Sequence, residues 1–256
     1  LPESAECVEQ QAHEARGAPD AILRASDSAP PVFPGGSTFN GDIMEYGSLP
    51  HTKTEDGRTL AGITVRVPSP PKSAILRLPT TQEMLDRLGQ QKSIRRTLGR
   101  RKSQTEFIPN PKADLDLFNK IRLDKGIEFD EFEAGNAVSK LTYCEVTDCQ
   151  RAGEEYRITL RTPFGDTVHT VKIPTQRDIT VYRRTVISAT DLPHGQEELR
   201  FRIEPAMALY DSVADKIEGY AESFKTADVP PHHKSAVVVE LVQAVDDLDP
   251  SLDPNS

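Results

Sequence analysis

The feature that most constrains this chain is a junction that occurs twice. The stretch "ILRLPTTQEM", Ile75 to Met84, has the order strand end, proline stop, capped helix start, and "TVKIPTQRDI", Thr170 to Ile179, repeats that order. Before the first junction, "GITVRV" places Ile63, Val65 and Val67 on one face and Thr64 and Arg66 on the other, the alternation of a half-buried strand. "PSPP" then turns the chain, and "AILRLP" returns as a second strand with Leu76 and Leu78 inward and Arg77 outward. Pro79 biases the residue before it to an extended backbone. Thr80 and Glu83 fit a capping box: the hydroxyl accepts from a free backbone N–H and the carboxylate reaches back to another, which predicts a helix from Thr81.

A shift of 95 residues, without a gap, superimposes the second junction on the first. Ile158, Thr159, Arg161, Pro163, Pro174 and Thr175 are identical to Ile63, Thr64, Arg66, Pro68, Pro79 and Thr80. Lys172, Ile173, Asp178 and Ile179 stand where Arg77, Leu78, Glu83 and Met84 do, and "PFGD" replaces the turn. Matching residues fall on matching faces, as a duplication requires; the competing reading is coincidence between two amphipathic hairpins. The expected fold class is α+β: two tandem units of a β-hairpin followed by helices, over residues 59–150 and 151–249, with a flexible N-terminal arm over 1–58 and an acidic tail over 250–256.

The arm is expected because "SDSAPPVFPGGSTFNGDIMEYGSLPHT" is crowded with Pro, Gly and Ser and has too little apolar periodicity to offset its ordering entropy. Its two readings are a segment ordered by a partner and a tail without a role. Beyond the first junction, "LDRLGQQKSIRRTLGRRK" reads as a basic helix. Asn110 and Pro111 start another, and Asp130 to Tyr143 a third with Phe132, Val138 and Leu141 as core candidates. Beyond the second, the helix is expected to run to Ser188. "MALYDSVADKIEGYAESF" then aligns Leu209, Val213, Ile217 and Tyr220 on one helical face, and a last helix behind Pro231 aligns Val237, Leu241, Val245 and Leu248. "SIRRTL" in the first half also resembles "VYRRTV" in the second, seven residues nearer its proline, close to two helical turns.

Composition narrows the function. A hydrophobic fraction of 36%, 20 prolines and a net charge of −9 describe modest cores with extended segments, and argue against a dedicated nucleic-acid binder. Cys7, Cys144 and Cys149 make no disulfide framework, which favours a reducing compartment. No apolar run reaches the length of a membrane span, and "LPESAECVEQQ" lacks a signal-peptide pattern.

Chemistry is sparse. The phosphate-loop, dinucleotide, nucleophile-elbow and zinc-protease motifs are missing, and the histidines are scattered, with His232 and His233 read as a solvated helix start. Cys144 and Cys149 have no further metal ligands at local spacing. "LDKGIEFDEFE" lacks the ligand pattern of a calcium loop and suits a helix N-terminus. The expectation is no enzyme activity, no cofactor and no metal. The strongest charge signal is Arg87, Lys92, Arg95, Arg96, Arg100, Arg101 and Lys102, a cationic run for an acidic partner, for the chain's own acidic tail, or for solvent alone.

The pattern apolar, Arg or Lys, apolar, Pro, Thr, two residues, Asp or Glu, apolar, met in "LRLPTTQEM" and "VKIPTQRDI", resembles the small tail assembly chaperones of long-tailed bacteriophages, the Mu-like type. Thr175 to Ile179 with Arg183 and Arg184 following is the closer copy. The resemblance implies a non-enzymatic factor in the host cytoplasm that binds a helical tape measure protein or another tail protein and helps recruit tail-tube subunits. Self-association is a further option, and Arg87 to Lys102 with Arg183 and Arg184 form the expected contact surface. Greater length, the duplication and the arm depart from the family. They keep open a virion structural or decoration protein, and behind it a nucleic-acid-binding regulator, with nucleic acid the less favoured partner.

Overall fold

The computed structural model describes residues 45–54, 57–68, 71–97, 103–124 and 127–248. It is an α+β fold of antiparallel sheets and helices. The remainder of the expected arm, the cations Arg100, Arg101 and Lys102, and the acidic tail lie outside the described residues.

β1 (His51–Lys53) pairs with β2 (Thr59–Ala61), and β3 (Ile63–Pro68) forms a hairpin with β4 (Pro71–Leu76). Next come α1 (Thr81–Leu88), β5 (Lys92–Thr97), β6 (Ser103–Ile108), α2 (Pro111–Ile121) and α3 (Glu131–Leu141). The second half holds β7 (Glu145–Ala152), β8 (Glu155–Thr162), β9 (Gly165–Lys172), α4 (Gln176–Thr185), β10 (Ile187–Leu192), β11 (Gln196–Phe201), α5 (Glu204–Val213), β12 (Ala214–Glu218) and α6 (Pro231–Leu248).

Both junctions take one geometry. Thr80 lies at φ −71°, ψ 162° and Thr175 at φ −72°, ψ 156°. Thr80 Oγ1 accepts from the Glu83 amide at 3.3 Å while Glu83 accepts from the Thr80 amide at 2.8 Å; Thr175 and Asp178 do the same at 3.3 and 3.1 Å. Each helix then buries its next apolar residue, Met84 or Ile179, at 1% exposure. Arg77 adds a bidentate pair to Glu83 at 2.6 and 2.9 Å, and these hydrogen bonds hold the carboxyl down at about 2.

The 95-residue shift carries on past the helices, because Lys92–Thr97 falls onto Ile187–Leu192. Both segments are strands, which corrects the expected basic helix through Lys102 and the helix drawn to Ser188. α1 stops at Gly89, and α4 at Val186. The match of "SIRRTL" to "VYRRTV" is therefore not structural: Arg95 and Arg96 lie on β5, whereas Arg183 and Arg184 end α4.

The two repeats are fused rather than strung along the chain. A four-stranded sheet runs β10-β11-β5-β6, so a hairpin from each half meets at the β11–β5 seam. A second four-stranded sheet, β12-β9-β8-β7, lies under α5 and α6, and the hairpin β3–β4 lies under α3. One continuous apolar core joins Ile63, Leu76, Phe118 and Val138 of the first half to Ile158, Val171, Tyr210 and Leu241 of the second.

The N-terminal boundary is corrected as well. Within the expected arm, Tyr46 is 3% exposed, pairs as an isolated bridge with Tyr220, and packs edge-on against Phe164 at 5.1 Å. Gly219 makes that crossing possible: at φ +79° an added Cβ meets the Asp166 carbonyl oxygen at 2.4 Å. Two further expectations change. Phe132 is 75% exposed on α3, while Val138 and Leu141 are buried. Ile217 and Tyr220 are not on a helix with Leu209 and Val213, because α5 ends at Val213 and Ile217 pairs with His169 across β12–β9.

Candidate functional site

The shared sheet carries most of the residues expected to meet a partner. Strand register sorts its faces, since side chains alternate and opposed residues point the same way. On one face Phe107 opposes Ser93, Ser93 opposes Leu199, and Leu199 opposes Ala189; beside that row, Phe201 opposes Ile187. Phe107, Ile187 and Phe201 are 51%, 36% and 41% exposed, around a buried Leu199. The toe of this sheet borders a groove of ≈ 240 Å³ between Leu85 and Gly89 of the α1 end and Phe201 and Ile203.

The cations here are bound within the chain. Arg95 meets Glu197 on the apolar face at 2.5 Å. On the opposite face Lys92 meets Glu198 at 2.9 Å, Arg200 meets Glu198 at 2.7 Å, and Arg96 meets Glu106 at 3.6 Å. Hydrogen bonds from Lys92 and Arg200 lower the Glu198 pKa. Arg87 sits apart from this sheet in a half-buried pair with Asp114 at 2.5 Å, and Arg183 pairs with Asp246 on α6. Arg184 is exposed at the end of α4. The expected cationic helix surface is thus replaced by a strand sheet laced with internal ion pairs. Pro79, Thr80, Glu83, Pro174, Thr175 and Asp178 remain fold junctions, with Pro174 buried.

A second cluster was not legible as a unit. His169 on β9 is 0% exposed; its Nδ1 lies 2.8 Å from the Tyr210 hydroxyl and its Nε2 3.1 Å from that of Tyr220. The Tyr220 hydroxyl also lies 2.7 Å from His233 Nδ1, and His233 is 0% exposed. His232 stacks edge-on to His233 at 4.5 Å with both ring nitrogens buried and unpartnered. The pair does open α6, as expected, but it is not solvated: His233 is buried against Tyr46 and Tyr220, and both His232 ring nitrogens are shielded from water. In the sequence, His169 stands 95 residues after Ala74, a small residue that is also buried, so the repeat marks an inward position but not a polar one.

Burial sets the protonation of this cluster. It lowers His169 to about 3 and His232 to about 3, the latter also through the nearby Arg87, and holds His233 well below the ordinary imidazole range. The Tyr46, Tyr210 and Tyr220 phenols are pushed up by the same exclusion of water. Cys144, whose thiol faces the His232 carbonyl at 3.8 Å, is pushed up to about 12, and Cys149 to about 11, both first by burial. The hydrogen-bonded chain Tyr210–His169–Tyr220–His233 ties β9, α5 and α6 together, and Tyr46 packs edge-on against Tyr220 and His233. Lys234 closes the neighbouring edge, bonding Asp211 at 2.6 Å and the Ala227 carbonyl at 3.1 Å over the Tyr210 ring.

Among the described residues no group of three or more His, Cys, Asp or Glu side chains is placed to hold a metal ion. No described helix is long and apolar enough to cross a membrane. Comparison with family models, with curated proteins and with solved structures finds no match to this chain.

Proposed function

We propose that this chain is a non-enzymatic tail assembly chaperone of a long-tailed phage, acting in the host cytoplasm on a helical tape measure protein and assisting tail-tube assembly. The junction resemblance supplies the family. The observation that carries a binding role is the shared sheet, whose Phe107, Ile187 and Phe201 lie exposed on one face. A sheet face of this kind is stable and soluble when a second layer covers it, and an amphipathic helix presenting an apolar stripe supplies that layer. Because the sheet needs a hairpin from each repeat, duplication creates a surface that one unit alone lacks.

With these cations held in internal ion pairs, apolar contact is the main driving force and charge sets orientation. Coexpression with the adjacent tape measure protein tests the proposal directly. A soluble complex is expected, weakened by Phe201→Asp. A tape measure protein whose solubility is unchanged by this chain overturns the proposal, and so does stoichiometric recovery of the chain in purified particles by mass spectrometry, the result that a virion structural protein gives.

A further inference from the structure

Residues 45–50 lie as a strap over the buried histidine–tyrosine chain. At Tyr46 the strap is bonded to the body through its backbone: the Tyr46 amide donates to the Gly219 carbonyl at 3.1 Å, and the Ala221 amide donates to the Tyr46 carbonyl at 3.0 Å. The Tyr46 ring adds edge-on contacts to His233 at 4.8 Å, Phe164 at 5.1 Å and Tyr220 at 5.6 Å. Gly47 lets the strap lie this close, since at φ +97° an added Cβ meets the Phe224 ring at 2.4 Å. Past Pro50 the chain enters the two-stranded β1–β2 sheet.

The ring beneath the strap has no place for a second proton. His233 Nδ1 is bonded to the Tyr220 hydroxyl at 2.7 Å, and His233 Nε2 is buried without a partner. Either neutral tautomer leaves one hydrogen bond unmet at Nε2, whereas an imidazolium leaves a charged N–H there, the costlier state. No packed element offers a counter-charge. β9 brings neutral His169, the segment after β12 brings Tyr220, and the segment before β7 brings Cys144. α5 brings Tyr210 and Asp211, but Asp211 is held by Lys234 of α6 at 2.6 Å. Arg87 of α1 faces His232 and is paired with Asp114 of α2. On α6 itself, both His232 ring nitrogens are buried and unpartnered. On the strap side Glu45 is exposed, and Asp228, beside Tyr46 and Pro231, accepts from the Lys225 amide.

We propose that residues 45–50 are an acid-released strap: when His233 takes a proton, Tyr46 leaves the 219–221 segment and admits water to the ring, while the rest of the core stays folded. Water supplies the acceptor that Nε2 lacks. Covered by Tyr46 the ring excludes the proton, and uncovered it binds one. The open-to-closed ratio therefore rises up to about tenfold per pH unit below about 6.5. His169 and His232 lie on β9, inside a four-stranded sheet, and on α6, and moving either takes the core apart, so lifting the strap is the smallest opening that hydrates His233. The opened strap uncovers Phe164, Tyr220 and Phe224, an aromatic surface that Tyr46 covers when closed. This inference is independent of the tail-assembly reading.

Native-state hydrogen exchange, corrected for the pH dependence of the intrinsic rate, tests it. Between about pH 7.5 and about pH 5 the protection of the Tyr46 and Ala221 amides is expected to fall at least about tenfold, while β8 amides stay protected and circular dichroism is unchanged. His233→Gln keeps a side-chain partner for Tyr220 and has no proton to gain, and its strap is expected to stay closed over the same range. Where that variant does not fold, Gly47→Ala stands in. The added Cβ displaces the strap from Phe224, so the strap is expected to open at neutral pH. The His233 ring of that variant then titrates, by NMR, nearer the ordinary imidazole range than in the wild type. Strap amides that keep their protection in acid, or lose it only together with β8, overturn the proposal. So does a His233→Gln strap that still opens, or a His233 titration unmoved by Gly47→Ala.

Discussion

Arg95 on β5 and Glu197 on β11 sit directly opposite each other, with the guanidinium Nε donating to the carboxylate at 2.6 Å. The pair fastens one repeat to the other across a separation of 102 residues. It also explains why a segment read as a cationic helix is a strand: its partner strand lies in the other half of the chain, beyond the reach of any local pattern.

Arg95→Glu and Glu197→Arg are each expected to weaken the seam, and the double variant to recover most of the loss. Both side chains are about a third exposed, 31% and 35%, so the coupling is that of a cross-strand surface pair, about 0.2–1 kcal/mol. Urea unfolding of the wild type, both single variants and the double variant measures it. A coupling of zero contradicts the seam.

Stability is expected to fall with acid through the histidine cluster. Below about pH 6.5 the unfolded chain gains protons on His169, His232 and His233. The folded chain refuses them, with His169 and His232 held at about 3. These depressed values make the neutral cluster fully compatible with folding above about pH 7, and the associated stability is lost as pH falls from 6.5 toward 3. Each excluded imidazole contributes a slope of about 1.4 kcal/mol per pH unit in that window. Thermal melts between pH 7 and pH 4 check this, and His169→Gln is expected to flatten the curve.

Loss of either repeated cap is expected to cost similar amounts. Thr80→Ala and Thr175→Ala each free the helix N-terminal amide that the hydroxyl now bonds, for about 0.5–2 kcal/mol. Thr→Ser at either position retains the acceptor and is expected to restore most of the stability. Denaturant midpoints provide the comparison, and a silent Thr175→Ala contradicts the equivalence of the two junctions.

On α3, position outweighs hydrophobicity. Phe132→Ser is expected to change stability by less than about 0.5 kcal/mol because the ring is in solvent. Leu141→Ala, at 2% exposure in the core, is expected to cost about 2–5 kcal/mol. Equilibrium unfolding of the two variants distinguishes them, and a large Phe132 effect places that ring in a contact with another molecule.

The sequence by itself determined what is local. Thr80 with Glu83, Thr175 with Asp178 and Asn110 before Pro111 were readable because a cap is made by residues three positions apart, whose hydrogen bonds need no distant partner. Alternation in "GITVRV" and the start of α6 at Pro231 were readable for the same reason. Tertiary structure decided the rest. "KSIRRT" became β5 because β6 and β11 satisfy its backbone, and Ile217 left the helical stripe of Leu209 and Val213 because β9 offers a free edge. His232 and His233 read as solvated until α6 set His233 against Tyr46 and Tyr220, with His232 edge-on to it. In each case a partner about 15 to 190 positions away supplied hydrogen bonds or excluded water, and no local propensity of ~1 kcal/mol or less outweighs that.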